Sequence, residues 1–166
     1  MELYILRHGI AVTRTIPAYP NDDRPLTEEG VQKMKIGAAG IAKLVDGFAV
    51  ILTSPLKRAH DTARITAEVV GGANTVKVVQ QLLPEKSIQD IFFALMKVRN
   101  RKRILLVGHE PSLSEFASHL IGSSMSSIEF KKGALCRIDV NDIPLRLPGR
   151  LQWHLSPKQL RMIAKS

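Results

Sequence analysis

Two arginines and two histidines stand where strands are expected to end. Leu3 to Leu6 is a short β-rich run that passes straight into Arg7-His8-Gly9. Ala49 to Thr53 ends at Ser54-Pro55 and opens a helical stretch carrying Lys57 and Arg58. Ile104 to Val107 ends at Gly108-His109-Glu110-Pro111, again directly before a helix. In open α/β sheets ligands bind beyond the carboxyl ends of the strands. Residues from three separate strands therefore converge on one sheet edge, where helix N-termini add unpaired N–H groups and positive dipole ends. Arginine offers planar, bidentate contacts to phosphoryl oxygens and stays charged at any working pH. A neutral histidine has a ring nitrogen free to attack phosphorus. A second, protonated histidine would stabilise charge on the transferring group. Gly9 after the first histidine allows close backbone approach. The set predicts a phosphate cradle holding two imidazoles.

The elements that must deliver these residues follow from the apolar pattern. Strands are expected at Leu3 to Leu6, Ala49 to Thr53, Val76 to Val79, Ile104 to Val107, Ala134 to Val140 and Leu151 to Leu155. Thr27 is placed to cap a helix whose first turn holds Glu28 and Glu29, where negative charge suits the dipole. Val31, Met34, Ala38, Ile41, Ala42 and Val45 then recur at helical spacing. Ser54-Pro55 offers a second start, with serine as cap and proline at the first helical position. Ser112 to Glu115 has the pattern of a capping box. Ser87 to Val98 and Pro157 to Ala164 supply further helices. Strands alternating with helices imply a mainly parallel sheet covered on both faces. The last two strands are joined by a short Asn/Pro/Gly-rich turn, so that edge is expected to be antiparallel. The fold class is α/β, a three-layer α/β/α sandwich, as one domain over residues 1–166.

Composition bounds the rest. A chain of 166 residues, 45% hydrophobic and 23% charged, can bury a full core. Its one cysteine, Cys136, excludes an internal disulfide and favours a reducing compartment. No apolar run approaches the ~18 residues of a membrane span. The start Met1-Glu2-Leu3-Tyr4 lacks signal-peptide character, so a cytoplasmic protein with no membrane partner is expected. The net charge of +9 suits an anionic partner without naming it.

The residues quoted so far carry a family resemblance. Leu6-Arg7-His8-Gly9, Ser54-Pro55-Leu56-Lys57-Arg58-Ala59 and Val107-Gly108-His109, in this order, resemble the histidine phosphatase (phosphoglycerate mutase-like) superfamily. Arg24-Pro25-Leu26-Thr27-Glu28-Glu29-Gly30, Gly108-His109-Glu110-Pro111, Lys132-Gly133-Ala134 and Leu151-Gln152-Trp153-His154-Leu155-Ser156-Pro157 narrow the likeness to the small phosphohistidine phosphatases of the SixA type. The resemblance implies that His8 is the nucleophile and becomes a transient phosphohistidine. Arg7 and Arg58 would bind the phosphoryl oxygens, with His109 opposite, and water would release phosphate. It implies no metal and no cofactor. SixA-type members lack the large helical insertion that roofs bigger relatives, and an open site suits a phosphorylated protein side chain. Ile10 stands where many of them carry an acidic residue. Larger members use a mid-chain carboxylate as proton donor. Glu85, in Leu83-Pro84-Glu85, is the candidate here, while Asp22 and Asp23 lie on the loop after Gly9.

The expected partner is accordingly a phosphohistidine-bearing phosphotransfer protein in signalling, with a small phosphoester or another phosphoprotein as alternative. A rival of another class is a basic module that binds phosphorylated protein or nucleic acid without turnover. A mutase is disfavoured because it must exclude water from its phosphorylated intermediate. Around the pocket, Arg14, Lys57, Arg64, Lys131 and Lys132 are candidates for a basic rim, Lys57 for a substrate contact. The dense run Lys97 to Arg103 follows a helix end and leads into the amino end of a strand, opposite His8. It lacks aromatics that could stack on bases, so it reads as a solvated turn rather than a nucleic-acid patch. His60, His119 and His154 read as ordinary, partly buried residues, Ser54 as a helix cap and Cys136 as core. With no exposed apolar seam, a monomer is expected.

Overall fold

The computed structural model describes residues 1–15, 18–19, 22–71, 75–125 and 127–166. Six strands form one sheet: β1 (Glu2–Arg7), β2 (Val50–Thr53), β3 (Val76–Val78), β4 (Arg103–Gly108), β5 (Leu135–Asp139) and β6 (Arg150–Leu155). Their spatial order is β3-β2-β4-β1-β5-β6. β3, β2, β4 and β1 run parallel, and β5 and β6 complete an antiparallel edge, as the short turn between them requires.

The inner positions of the central strands, Leu3 to Leu6, Val50 to Leu52 and Ile104 to Val107, are buried and almost wholly apolar because both faces are covered. Leu3 and Ile5 of β1 and Ile104 and Leu106 of β4 face one layer of core, shared with Phe116, Leu120, Ile91 and Leu95. Those four lie on α3 (Ile88–Met96) and α4 (Ser112–Leu120). Tyr4, Leu6, Leu105 and Val107 point the other way, against Met34, Ile41, Ala63 and Leu160. These belong to α1 (Glu28–Ala42), α2 (Lys57–Val70) and α5 (Pro157–Lys165). The result is the expected α/β/α sandwich. None of the described helices is long and apolar enough to cross a membrane.

The caps differ from expectation at two of the helices that matter. Thr27 caps α1 as its sequence predicts, accepting from Gly30 N–H at 2.9 Å. α2, however, starts at Lys57 with Leu56 at the cap position and no side-chain cap. Its open N-terminus is served from another loop, since Asp23 accepts from Lys57 N–H at 2.8 Å. α4 likewise has Pro111 at its cap position, and the predicted box from Ser112 to Glu115 does not form. Ser112 instead donates to the Pro84 carbonyl at 2.9 Å. Both serines are freed from capping, and both tie down the same sheet edge. A capping box does form at α3, between Ser87 and Asp90.

Candidate active site

β2, β4 and β1 are adjacent, and their registers bring their carboxyl ends level: Thr53 pairs with Val107, and Arg7 with Gly108. Backbone bonds lock the exits together. Ser54 N–H donates to Val107 O at 3.0 Å and His8 N–H to Gly108 O at 3.1 Å. Gly133, at φ +84°, where a side chain would be strained, donates its N–H to both Arg7 O and His8 O at 3.1 Å. The three segments that carry site residues thus leave the sheet side by side. Among the described residues they line a cavity of about 320 Å³ with Arg7, His8, Arg58, His109, Glu110 and Lys132 in its wall. Arg14, Arg24 and Pro84 complete much of the rest.

His8 is buried, and its Nδ1 donates to the Gly9 carbonyl at 2.7 Å. That contact requires the ring hydrogen on Nδ1 and leaves the lone pair on Nε2, which accepts from Arg58 Nε at 3.3 Å. Burial, followed by the charges of Arg58, Arg7 and Lys132, lowers the His8 pKa to about 3, so the ring is neutral. Its neighbour His109 lies with ring centroids 5.1 Å away. Burial and the same positive surroundings push His109 down as well. Where the sequence suggests a protonated stabiliser, the surroundings of His109 favour its neutral form. His109 Nε2 lies 2.8 Å from Ser54 Oγ, which itself accepts from Leu56 N–H at 3.3 Å. With the serine proton directed to Nε2, the ring hydrogen sits on Nδ1, a buried atom with no protein partner.

Arg58 lies in the first turn of α2, whose sheet-facing residues are small: Ala59, Thr62, Ala63, Thr66 and Ala67. That lets the helix approach closely and leaves Arg58 only 2% exposed. Its Nη1 and Nη2 donate to Asp22 O at 2.7 Å and Asp22 Oδ2 at 3.0 Å. The Asp22 carboxylate also meets Arg24 at 2.7 Å and Arg14 at 3.6 Å. Burial raises its pKa, but the Arg24 hydrogen bond and the Arg58 and Arg24 charges outweigh that and hold it below the usual range. Asp22 thus acts as the internal counter-ion of the arginine cluster. Arg7 donates through Nη1 to Phe130 O at 2.6 Å, and its buried Nε has no partner among the described residues.

Several expected contacts lie elsewhere. Gly9 does not line this cavity: its N–H is taken by Thr62 Oγ1 at 3.0 Å, and a Cβ there would meet Met34 at 2.7 Å. Met34 on α1 thus packs close against Gly9 and leaves little room for a side chain there. Lys57 is turned to Asp61 at 3.4 Å and Arg64 to Glu68 at 3.4 Å, each within α2. Neither Lys57, Arg64 nor Lys131 is in the cavity wall, whereas Arg14 and Lys132 are. Glu85 lines a neighbouring depression with Leu56, Leu83 and Asp22. The sequence gives Ser54 the role of a helix cap, Asp22 only a place on the loop after Gly9 and Glu110 no role beyond its motif, whereas the structure ties Ser54 to His109 and Asp22 to Arg58 and sets Glu110 in the cavity wall. His154 packs edge-on against Phe130 at 5.0 Å, His119 is exposed against Phe92, and Cys136 is buried core, all outside the cavity. Among the described residues no group of three or more His, Cys, Asp or Glu side chains is arranged to hold a metal ion.

A family model described as the histidine phosphatase superfamily (branch 1) matches residues 3–91. An uncharacterized protein of a Picosynechococcus strain is 38% identical over 140 residues, covering 81% of this chain and 82% of its own. In structure the chain is similar to the protein histidine phosphatase SixA complexed with tungstate, with a TM-score of 0.84 at 21% identity over 96% of this chain and 99% of that one. It is also similar to a SixA homologue from Agrobacterium tumefaciens, with a TM-score of 0.79 at 21% identity over 94% and 97% of the two chains. These likenesses show the phosphoglycerate mutase-like fold.

Proposed function

The chain belongs to the histidine phosphatase superfamily, and from that premise we propose that it is a phosphatase that works through a phosphorylated His8. One observation carries the reading. The His8 ring is held by Gly9 O so that its neutral Nε2 keeps a lone pair, presented to Arg58 Nε, from which it accepts. A nucleophile needs that lone pair, and a buried imidazole beside two arginines keeps it at any pH near neutrality. The substrate phosphoryl group sits between Arg7 and Arg58, whose charges match the three phosphoryl oxygens. Nε2 attacks phosphorus as the bond to the leaving group breaks. The imidazolium-phosphate that forms is stabilised by the Nδ1 contact to Gly9. Water then attacks phosphorus, phosphate departs, and His8 returns to its neutral form.

The substrate class we propose is phosphohistidine on a phosphotransfer protein. Only a 3-10 turn (Gln80–Leu82) and the nine-residue α3 lie between β3 and β4, so no large helical insertion stands over the pocket. Arg14 at its wall has a 74% exposed side chain, available to a protein surface. The fold shared with a protein named as a histidine phosphatase supports the same class. A small phosphoester is the second reading, favoured by a cavity that holds one phosphoryl group with a modest organic part.

The test is phosphate release from a phosphohistidine-bearing domain, run beside an aryl phosphate, for the parent protein and His8→Ala. Release from the domain that the substitution abolishes is the expected result. Turnover of the aryl phosphate alone moves the substrate to the second reading. Tight phosphate binding without release from either compound, unchanged in His8→Ala, overturns the enzyme and leaves a binding module.

A further inference from the structure

We propose that Glu110 is the acid–base group of this site: it protonates the departing atom of the leaving group and then takes a proton from the attacking water. The proposal rests on the phospho-His8 reading above and adds the proton path that reading lacks.

Phosphoryl transfer to a neutral imidazole expels an alkoxide, phenoxide or imidazolide, and each needs a proton unless it is already a weak base. Four carboxylates lie near the pocket. Asp22 is committed to Arg58, Arg24 and Arg14 and is held ionised, so it has no proton to give. Asp23 caps α2 through Lys57 N–H. Glu85 belongs to the adjacent depression, not to the cavity wall that holds His8. Glu110 is the one acidic side chain in that wall among the described residues.

Its setting suits a proton carrier. Glu110 directly follows His109 at the end of β4, so the backbone that places the second histidine also places this carboxyl. Ser114, one turn into α4, donates its hydroxyl to Oε2 and fixes the group. Oε1 is buried with no protein partner among the described residues. Burial raises the carboxyl pKa, opposed by the Ser114 bond and the Arg7 charge, and the net direction is upward. A carboxyl with one oxygen anchored and the other unpaired can carry a proton on the unpaired one.

The proton balance closes. In the first step the His8 Nε2–P bond forms, the bond from phosphorus to the leaving group breaks, and the Glu110 proton goes to the departing atom. In the second step water oxygen bonds to phosphorus, the P–N bond breaks, and the water proton goes to the Glu110 carboxylate. Phosphate leaves and both residues are restored.

The experiment compares parent, Glu110→Gln, Glu110→Asp and Glu85→Gln on substituted phenyl phosphates, from para-nitrophenyl to unsubstituted phenyl, with acid-quench trapping of phosphoenzyme. Glu110→Gln should lose about 10²-fold or more on phenyl phosphate, a much smaller factor in the burst with para-nitrophenyl phosphate, and should accumulate phosphoenzyme. Glu110→Asp should restore part of the loss, and Glu85→Gln should leave the leaving-group dependence as in the parent. A uniform loss across the series in Glu110→Gln, or a selective loss in Glu85→Gln, overturns the proposal while trapped phospho-His8 in the parent keeps the phosphatase reading. Absence of any phosphoenzyme in the parent and in Glu110→Gln overturns both.

Discussion

Five cationic side chains line the His8 cavity, Arg7, Arg14, Arg24, Arg58 and Lys132, and five more crowd the run from Lys97 to Arg103. The two regions hold equal numbers of cations, but Arg7, Arg24 and Arg58 of the first are held very differently from the second. In the first, Arg58 is buried with every nitrogen hydrogen-bonded, to His8 and twice to Asp22. Arg7 and Arg24 are fixed to backbone carbonyls at Phe130 and Val12. In the second, Lys97, Arg99, Arg101 and Lys102 are exposed around the turn between α3 and β4, at the amino end of the sheet. Lys97 stands 4.6 Å over the exposed Phe93 ring. Charge held in water is screened within about 10 Å at ordinary salt, whereas charge held in a dry, fixed geometry is not. What makes a phosphate site is preorganisation, and the net charge of the chain does not measure it.

The largest losses are therefore expected from the buried cluster. His8→Ala removes the proposed nucleophile and should lower kcat/KM on an aryl phosphate by about 10⁴-fold or more. Arg58→Gln should cost about 10²- to 10³-fold, since it removes charge aimed at the transferring oxygens. It also leaves Asp22 with only Arg24 and Arg14. Steady-state kinetics on folded variants decide the matter, and a loss below tenfold in either would sink the assignment.

How legible the pocket was depends on how far apart in sequence its partners are. The strand ends could be read because β1, β2 and β4 are continuous apolar runs stopping at Arg7, Thr53 and Gly108. Arg7, His8, Arg58 and His109 stood out by type at those stops. Ser54 did not, because serine before a helix is usually a cap. Its hydroxyl is drawn away by His109, 55 positions later, a partner that only the sheet order provides. Asp22 reaches Arg58 across 36 positions in the same way. At Gly9 the sequence shows only a glycine beside a histidine, while the close packing of Met34 on α1 becomes visible only in the fold. Glu110 had no helical or strand pattern of its own, and only its place in the cavity wall separates it from Glu85.

Burial of two neutral imidazoles sharpens the comparison through pH. The folded pKa of His8 is about 3 against an ordinary 6.5, and His109 is lowered in the same direction. Between those values the unfolded chain binds protons that the fold refuses, so stability is full above about pH 6.5 and falls as pH drops below it. Each ring contributes at most about 1.4 kcal/mol per pH unit in that window. Thermal melts between pH 6.5 and 5 should fall steeply in the parent and more gently in a His8→Asn, His109→Asn double variant. Equal slopes would mean that the rings are not held neutral.

Ser54→Ala tests the hydrogen bond that fixes the His109 tautomer while leaving every charge in place. Loss of one such bond is worth on the order of 1 kcal/mol, so kcat should fall by roughly five- to tenfold with KM little changed. The ring nitrogens of His109 should also shift in their NMR resonances, a change that a merely structural serine would not cause. Unchanged kcat and unchanged resonances would return Ser54 to the role of a loop serine.

The smallest effect is expected where the charge density is highest. Replacing Arg99, Arg101 and Lys102 together by serine removes three cations, as much positive charge as removing Arg7, Arg58 and Lys132 from the pocket. These residues sit at the amino end of the sheet, at the start of β4, while His8 and His109 sit beyond its carboxyl end. Over that separation screened charges change kcat/KM on a small aryl phosphate by less than about twofold. Thermal stability should move by only a few tenths of a kcal/mol per exposed site. A drop of tenfold or more on the small substrate would show that the field at His8 is set by the whole molecule, and the contrast between the two basic regions would then fail. A drop confined to a phosphorylated protein substrate would instead make the run a docking surface remote from the chemistry, and the contrast would hold.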